Sequence, residues 1–201
     1  MKLLGSLGSP FVRKALICAH IKGAADKIQF VVTNSGPEAD ALRARNPLGK
    51  IPILFLDDGT TVYDSHVICE YIDTLSDTPK LFPAAGPGRL KTLTLAALAD
   101  GLAEASILVA YESRFRPKEM WVQSWVDRQQ AKVDAALAHL EQNVPTFSGA
   151  PDYGHVALAT SIGFVDLRQG ADWRAKYPKV AAWQDDFAAR VPSYAATMPK
   201  G

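Results

Sequence analysis

The spacing of apolar residues changes character once along this chain of 201 residues, near position 78. Ahead of that point short β-type runs alternate with helical stripes. Lys2–Gly5 is a short strand candidate, followed by the loop Ser6-Leu7-Gly8-Ser9-Pro10. Ser9 can cap a helix, and Pro10 suits its first position, where the missing donor would be unpaired anyway. Phe11, Val12, Ala15, Leu16 and Ala19 form its stripe, and Lys22-Gly23 is the stop. Ile28–Val32 reads as a second strand, Asn34–Pro37 as a loop, and Glu38–Arg45 as a short helix ended by Asn46-Pro47. Ile51–Leu56 is an apolar run interrupted only by Pro52, which stands at its start, where a missing ladder donor is tolerated. Asp57-Asp58-Gly59-Thr60 is a hairpin turn signal, and Thr61–Tyr63 is the return strand. Asp64 and Ser65 are both good caps for the helix carried by Val67, Ile68, Tyr71, Ile72 and Leu75. The order βαβ-α-ββα predicts a mixed sheet: strands one and two parallel, the hairpin strands antiparallel.

Residues 78–88 hold three Pro and two Gly and read as a linker. Helices alone are predicted beyond it. Arg89–Arg114 is rich in Leu and Ala, and Pro117 punctuates it. Lys118–Asn143 gathers Trp121, Trp125, Val126, Val133, Leu137 and Leu140 near one face. Asp152 can cap a third helix whose run Val156–Leu167 is apolar nearly all round, so it should be the buried centre of this half. A last helix starts at Pro178, carries Val180, Trp183 and Phe187, and is ended by Pro192.

Composition adds limits rather than identity. The chain is 48% hydrophobic and 21% charged, with net charge +1. Its Lys and Arg are scattered, which gives no electrostatic case for nucleic acid or a membrane surface. No stretch reads as transmembrane, and Gly5, Gly8, Pro10 and Arg13 interrupt any leader core. Two cysteines, Cys18 and Cys69, make no disulfide framework and sit in apolar helical runs. A reducing cytoplasm is the expected compartment. The four histidines (20, 66, 139, 155) show no metal-ligand spacing, so no metal is expected.

One ordered set of residues is more specific. Asn46-Pro47-Leu48-Gly49-Lys50-Ile51-Pro52, a hairpin, and then Asp64-Ser65 opening a helix resembles the glutathione-binding half of the glutathione S-transferases. The resemblance covers the whole chain. It implies a thioredoxin-like α/β domain with a mixed four-stranded sheet over 1–77, the linker 78–88, and an all-helical domain over 89–201. Ser9-Pro10-Phe11-Val12-Arg13 resembles the active-site segment of the serine-type members. Glutathione would then be the co-substrate, conjugated as a thiolate to small hydrophobic electrophiles in a detoxifying reaction.

The resemblance assigns roles residue by residue. Ser9 donates a hydrogen bond to the glutathione sulfur at a helix start that already favours negative charge. A thiol of pKa about 8.5 is a few per cent ionised at neutral pH. A hydrogen bond to a charged group, about 1.5–3 kcal/mol, lowers that pKa by about one to two units. Ile51 offers its backbone to the glutathione cysteine beside a cis-proline at Pro52, and Lys50 meets the glycyl end. Asp64 and Ser65 hold the γ-glutamyl group, although Asp64 is one methylene shorter than the Glu or Gln common in the family. Leu7, Phe11, Tyr111 and Phe115 line an electrophile pocket. Asp100 reaches the glutathione amino group of a neighbouring subunit, in a homodimer formed through the first two C-terminal helices. Alternatives stand beside these roles: Ser9 as a cap only, Lys50 as a solvated loop residue, Arg13 as charge support or as an ion pair, and core packing for the pocket residues. Asp152-Tyr153-Gly154-His155 departs from the family's Ser/Thr-x-x-Asp cap by placing His155 where an acid is expected. A cysteine is absent at position 9, which disfavours thiol–disulfide exchange. Glutathione-dependent peroxidase activity, a non-catalytic glutathione- or hydrophobe-binding protein, and a partner-binding module remain open readings.

Overall fold

The computed structural model describes residues 1–33 and 42–199. The loop Asn34–Pro37 and the first half of the helix expected over Glu38–Arg45 lie outside the described residues. The N-terminal half is β1 (Lys2–Gly5), α1 (Pro10–Ile21), β2 (Gln29–Val32), β3 (Ile53–Phe55), β4 (Thr61–Val62) and α2 (Ser65–Asp73). The four strands form one sheet in the order β2-β1-β3-β4. β1 runs parallel to β2 with Leu3 opposite Phe30, and β3 is antiparallel to both β1 and β4. The predicted mixed sheet is what forms.

Local chemistry sets these elements. Ser9 is the cap of α1, its hydroxyl accepting from the Val12 amide at 3.4 Å, and Pro10 opens the first turn. Gly5 lets β1 and α1 touch: a Cβ there would stand 2.5 Å from Val12 Cγ2. Gly59 closes the hairpin with φ +88°, a region that favours glycine. Asp64 caps α2 by accepting from the His66 amide at 3.0 Å. The Ile51–Pro52, Tyr63–Asp64 and Thr78–Pro79 peptide bonds are cis.

The helical half comprises α3 (Gly86–Phe115), α4 (Gln123–Gln142), α5 (Tyr153–Gln169), α6 (Trp173–Lys176), α7 (Pro178–Arg190) and α8 (Pro192–Ala196). Three boundaries differ from the pattern. α3 starts at Gly86-Pro87 rather than Arg89, because proline is at home in a first helical turn. α4 starts at Gln123, since Lys118–Met120 forms a separate 3₁₀ turn after Pro117. Trp121 therefore precedes α4, and Trp125 is 44% exposed, while Val133, Leu137 and Leu140 supply the buried stripe. Pro192 does not end the helical region; it opens α8.

The reading that no stretch is long and apolar enough to cross a membrane is also corrected: α3 meets that test of length and composition. Its apolar character has a local use, because α3 packs along both α4 and α5. As expected, α5 is the core of this half, with every residue from Tyr153 to Val165 buried. Gly154 permits its approach to α3, since a Cβ there would meet the Thr92 carbonyl oxygen at 2.7 Å. The unusual start of α5 is well satisfied. Asp152 accepts from the His155 amide at 3.1 Å, contacts His155 Nδ1 at 2.5 Å, and receives the Thr92 hydroxyl. His155 thus supplies a partner in place of the missing acid.

α1 is the element shared by the two halves, packing on α2 on one side and on α5 and α8 on the other. Arg13 is buried, donates to the Tyr194 carbonyl at 2.9 Å and lies over the Tyr194 ring. Lys14 is 1% exposed and pairs with Asp100 of α3 at 2.7 Å. Lys22 Nζ meets Asp73 at 3.0 Å and donates to the Ser76 and Pro79 carbonyls at 2.6 Å. Asp73 in turn accepts from the Leu81 amide, so the connecting segment is pinned at several points.

Candidate active site

The loop between β1 and α1 is shaped by Ser6. Its hydroxyl accepts from the Gly8 amide at 3.3 Å, and its carbonyl accepts from the Ser9 amide at 2.9 Å. Ser9 is left half-buried at the positive end of α1. A second loop is shaped by buried Asn46. Its side chain donates to the Lys50 carbonyl and accepts from the Leu48 amide, both at 3.0 Å, and Gly49 takes φ +61°. That turn delivers Lys50 and Ile51 next to the first loop. The last turns of α3 and α5 complete the enclosure.

The result is a cavity of about 880 Å³ between the two halves. Ser9, Phe11, Lys50, Ile51, Tyr111 and Phe115, all singled out from the sequence, lie on its wall. Leu7 does not; that stretch of wall is made by its neighbours Ser6 and Gly8, which corrects the expectation for Leu7. Pro52, Asp64 and Ser65 are also off this wall. Pro52 and Ser65 are buried, and Asp64 is exposed at its cap. The wall adds residues that sequence reasoning missed: Glu104, Ile107 and Leu108 of α3 with Ser113 and Arg114, and Phe164, Leu167 and Arg168 of α5. Their one legible signal was spacing. Positions 104, 107, 108, 111 and 115 share one helical face.

Tyr111 and Phe115 meet edge to face with ring centroids 4.9 Å apart, which gives the cavity an aromatic floor. The Arg13 guanidinium is held on Tyr194 rather than on this wall, so its role is structural. Asp100 is engaged by Lys14 within the same chain. Cys18 and Cys69 are free and buried. Burial, followed by the hydrogen bond with Cys69, pushes the Cys18 thiol well above its usual range. Neither thiol lies on the cavity wall. Among the described residues no group of three or more His, Cys, Asp or Glu side chains could hold a metal ion.

Chemically, the site offers a hydroxyl at a helix start whose dipole favours negative charge, a backbone edge at Ile51, and a roomy chamber with aromatic and basic walls alongside. Known proteins with this fold are numerous. Family profiles described as glutathione S-transferase N-terminal domain and C-terminal domain match residues 8–75 and 123–185. The uncharacterized GST-like protein YibF of Escherichia coli K12 is 33% identical over 99% of this chain and 98% of its own. A glutathione transferase family member from Pseudomonas fluorescens Pf-5, solved with bound glutathione, is 38% identical and superposes with TM-score 0.91 over 100% of this chain and 99% of its own. A glutathione S-transferase from Methylobacillus flagellatus KT with GSH bound is 31% identical, with TM-score 0.90 over 99% of both chains. With these likenesses spanning the whole length and a thioredoxin-like sheet domain joined to a helical one, the chain belongs to the glutathione S-transferase family.

Proposed function

We propose that this protein is a glutathione transferase that ionises glutathione at Ser9 and adds its sulfur to a small electrophile held in the cavity. The observation that carries this reading is the position of Ser9: it stands at the start of α1 on the wall of the same cavity as Ile51, Lys50 and the aromatic face of α3. Glutathione lies with its cysteine along the Ile51 backbone beside Pro52, its glycyl carboxylate toward Lys50, and its γ-glutamyl group at Asp64-Ser65. The Ser9 hydroxyl donates to the sulfur, and the dipole of α1 adds to the same preference for thiolate. The sulfur lone pair forms the new C–S bond. Either a leaving group departs with its bonding pair, or the pair of a polarised C=C moves to the neighbouring carbon, which takes a proton from water. Phe11, Tyr111 and Phe115 pack the apolar body of the electrophile.

The reading extends to assembly and compartment. Exposed Met120, Val122 and Trp125 leave apolar surface at the start of α4, part of the surface through which a homodimer forms. Light scattering tests this, and a monomer at micromolar concentration overturns it. Two free buried thiols suit a reducing cytoplasm.

The decisive experiment follows the ultraviolet absorbance of bound thiolate while glutathione is titrated at several pH values. Ser9→Gly is the preferred variant, because glycine at a cap costs only a few tenths of a kcal/mol. Thiolate is expected below the free thiol's pKa in the native protein. In Ser9→Gly its apparent pKa rises by about one to two units, with glutathione still bound. An unchanged pKa removes Ser9 from the mechanism. Binding without ionisation makes the protein a glutathione carrier rather than an enzyme.

A further inference from the structure

The wall of the cavity is not electrically neutral. Among the described residues Lys50, Arg114 and Arg168 face it, against the one carboxylate of Glu104. Four other arginines are paired with acids: Arg89 with Glu70, Arg116 with Glu112, Arg174 with Asp166 and Asp185, Arg190 with Asp186. Neither Arg114 nor Arg168 has such a partner among the described residues. Each instead lies over an aromatic ring of the cavity wall, Arg114 over Phe115 at 5.3 Å and Arg168 over Phe164 at 5.4 Å from the centroid. A guanidinium placed over a ring keeps its edge donors free and its position restricted.

The plainer account is that both arginines merely offset helix dipoles, since they occupy the last turns of α3 and α5. Magnitudes decide against it as the whole story. Each helix end carries about half a negative charge, so two ends cancel about one of the two positive charges. Glu104 is ten residues from Arg114 on the same helix, about 15 Å along the axis, beyond the screening length of about 8 Å at physiological ionic strength. A positive surplus therefore remains at this end of the cavity, before Lys50 is counted. Arg168 is also close to the reacting position: its Nη2 lies 3.6 Å from where a Cβ on Gly8 would stand, next to Ser9.

We infer that the electrophile is an organic acid: an apolar, preferably aromatic body with a carboxylate that Arg114 and Arg168 bind while its reactive carbon faces the sulfur. The inference rests on the glutathione reading given above and names the substrate class of that site. The aromatic floor of Tyr111 and Phe115 takes the body, and the two guanidinium edges take the carboxylate with charge-assisted hydrogen bonds.

The test uses finished conjugates, whose thioether sulfur cannot ionise, so any effect of Arg168 on thiolate is excluded. Calorimetry compares S-(4-carboxybenzyl)glutathione with its neutral isostere S-(4-carbamoylbenzyl)glutathione and with S-benzylglutathione. The full-length protein is expected to bind the carboxylate about tenfold tighter than the carboxamide at low salt, a preference that shrinks as salt rises. Arg114→Gln and Arg168→Gln each reduce that ratio, and the double variant brings it to about one. Measurable binding of S-benzylglutathione by the double variant shows that it is folded. Equal affinity for carboxylate and carboxamide in the native protein overturns the inference while leaving the glutathione site standing, and so does a preference that survives the double variant. Failure of all three conjugates to bind the native protein brings down the glutathione reading, and the inference with it.

Discussion

Replacing Asp100 by Asn leaves the Lys14 ammonium without its partner in a place where water cannot replace it. Lys14 is 1% exposed, its Nζ is 2.7 Å from Asp100 Oδ1, and its other close neighbours are the faces of Phe11 and Tyr153 at 5.3 and 5.2 Å. Breaking a buried pair by removing one member costs about 3–5 kcal/mol. The Asp100 side chain is 28% exposed, so some of its field is already screened and about 2–4 kcal/mol is the better figure. In a chain of this size each kcal/mol moves the melting temperature by about 2–4 °C, so Asp100→Asn should melt roughly 5–15 °C lower. The double variant Lys14→Met/Asp100→Leu removes both charges, and it should recover most of the loss because apolar replacements of a buried pair are close to neutral.

The same variant separates two roles for Asp100. If its work is to hold Lys14, glutathione affinity measured well below the melting point changes by less than about threefold. If it reaches a neighbouring subunit's glutathione amino group instead, affinity falls by about tenfold or more with stability intact. Differential scanning calorimetry and glutathione titration on one preparation give both readouts. A melting temperature within about 2 °C of the native protein, or a double variant no better than Asp100→Asn, refutes the reasoning.

Two further perturbations follow from the helical half. Gly163→Ala would put a Cβ 2.3 Å from Tyr194 Oη and 3.1 Å from Arg13 Nη1, and Tyr194 Oη also receives a hydrogen bond from Gln184. Overpacking and the disturbed buried bond together cost about 2–5 kcal/mol, and thermal unfolding should show a smaller cost in a Tyr194→Phe background, where the clashing hydroxyl is gone; strict additivity argues against the mechanism. At the start of α5, burial pushes the Asp152 carboxyl up, but hydrogen bonds from His155 and Thr92 outweigh it and hold the carboxyl below its ordinary value of 3.8. A depressed folded pKa gives stability that is complete above the unfolded value and lost as pH falls through the folded one. Urea unfolding of Asp152→Asn should therefore show a deficit of about 1 kcal/mol at pH 7 and pH 5 that closes below about pH 4. A deficit that grows on acidification would contradict the assignment.

What could be read from the sequence was local. Ser9-Pro10, Asp57 to Thr60, Asp64 and Asp152 announce caps and a turn because the hydrogen bonds that define them span two or three residues. Val156–Leu167 was recognisable as the core because no face of it is polar. Proline was ambiguous for a physical reason. It ends one helix and opens another equally well, so Pro192 read only as a stop, where it both follows the end of α7 and opens α8. The Lys118–Trp121 stretch read as helix because its periodicity continues that of the helix after it, although the chain turns between them. Leu7 sits in a loop with no period to say which way a side chain faces. Arg114 and Arg168 were invisible as a pair: they are close to one cavity only because α3 and α5 pack side by side, and a basic residue in a last turn needs no other explanation until the packing is known.

Arg13 and Lys14 of α1, with Lys22 just past its end, show why the site needs both halves of the chain. The first turn of α1 borders the cavity, so few side chains are available to hold the helix at that end. Here it is fixed further along. Arg13 reaches the Tyr194 carbonyl, Lys14 reaches Asp100, and Lys22 reaches Asp73 and the connecting segment. The first two partners belong to the helical half, so the placement of Ser9 is tied to that half through residues that lie off the cavity wall. These anchors lie within the buried side of α1, where their charges are matched by a carbonyl and a carboxylate rather than by solvent. The positive end of α1 thus stays open to the cavity while its flank is held.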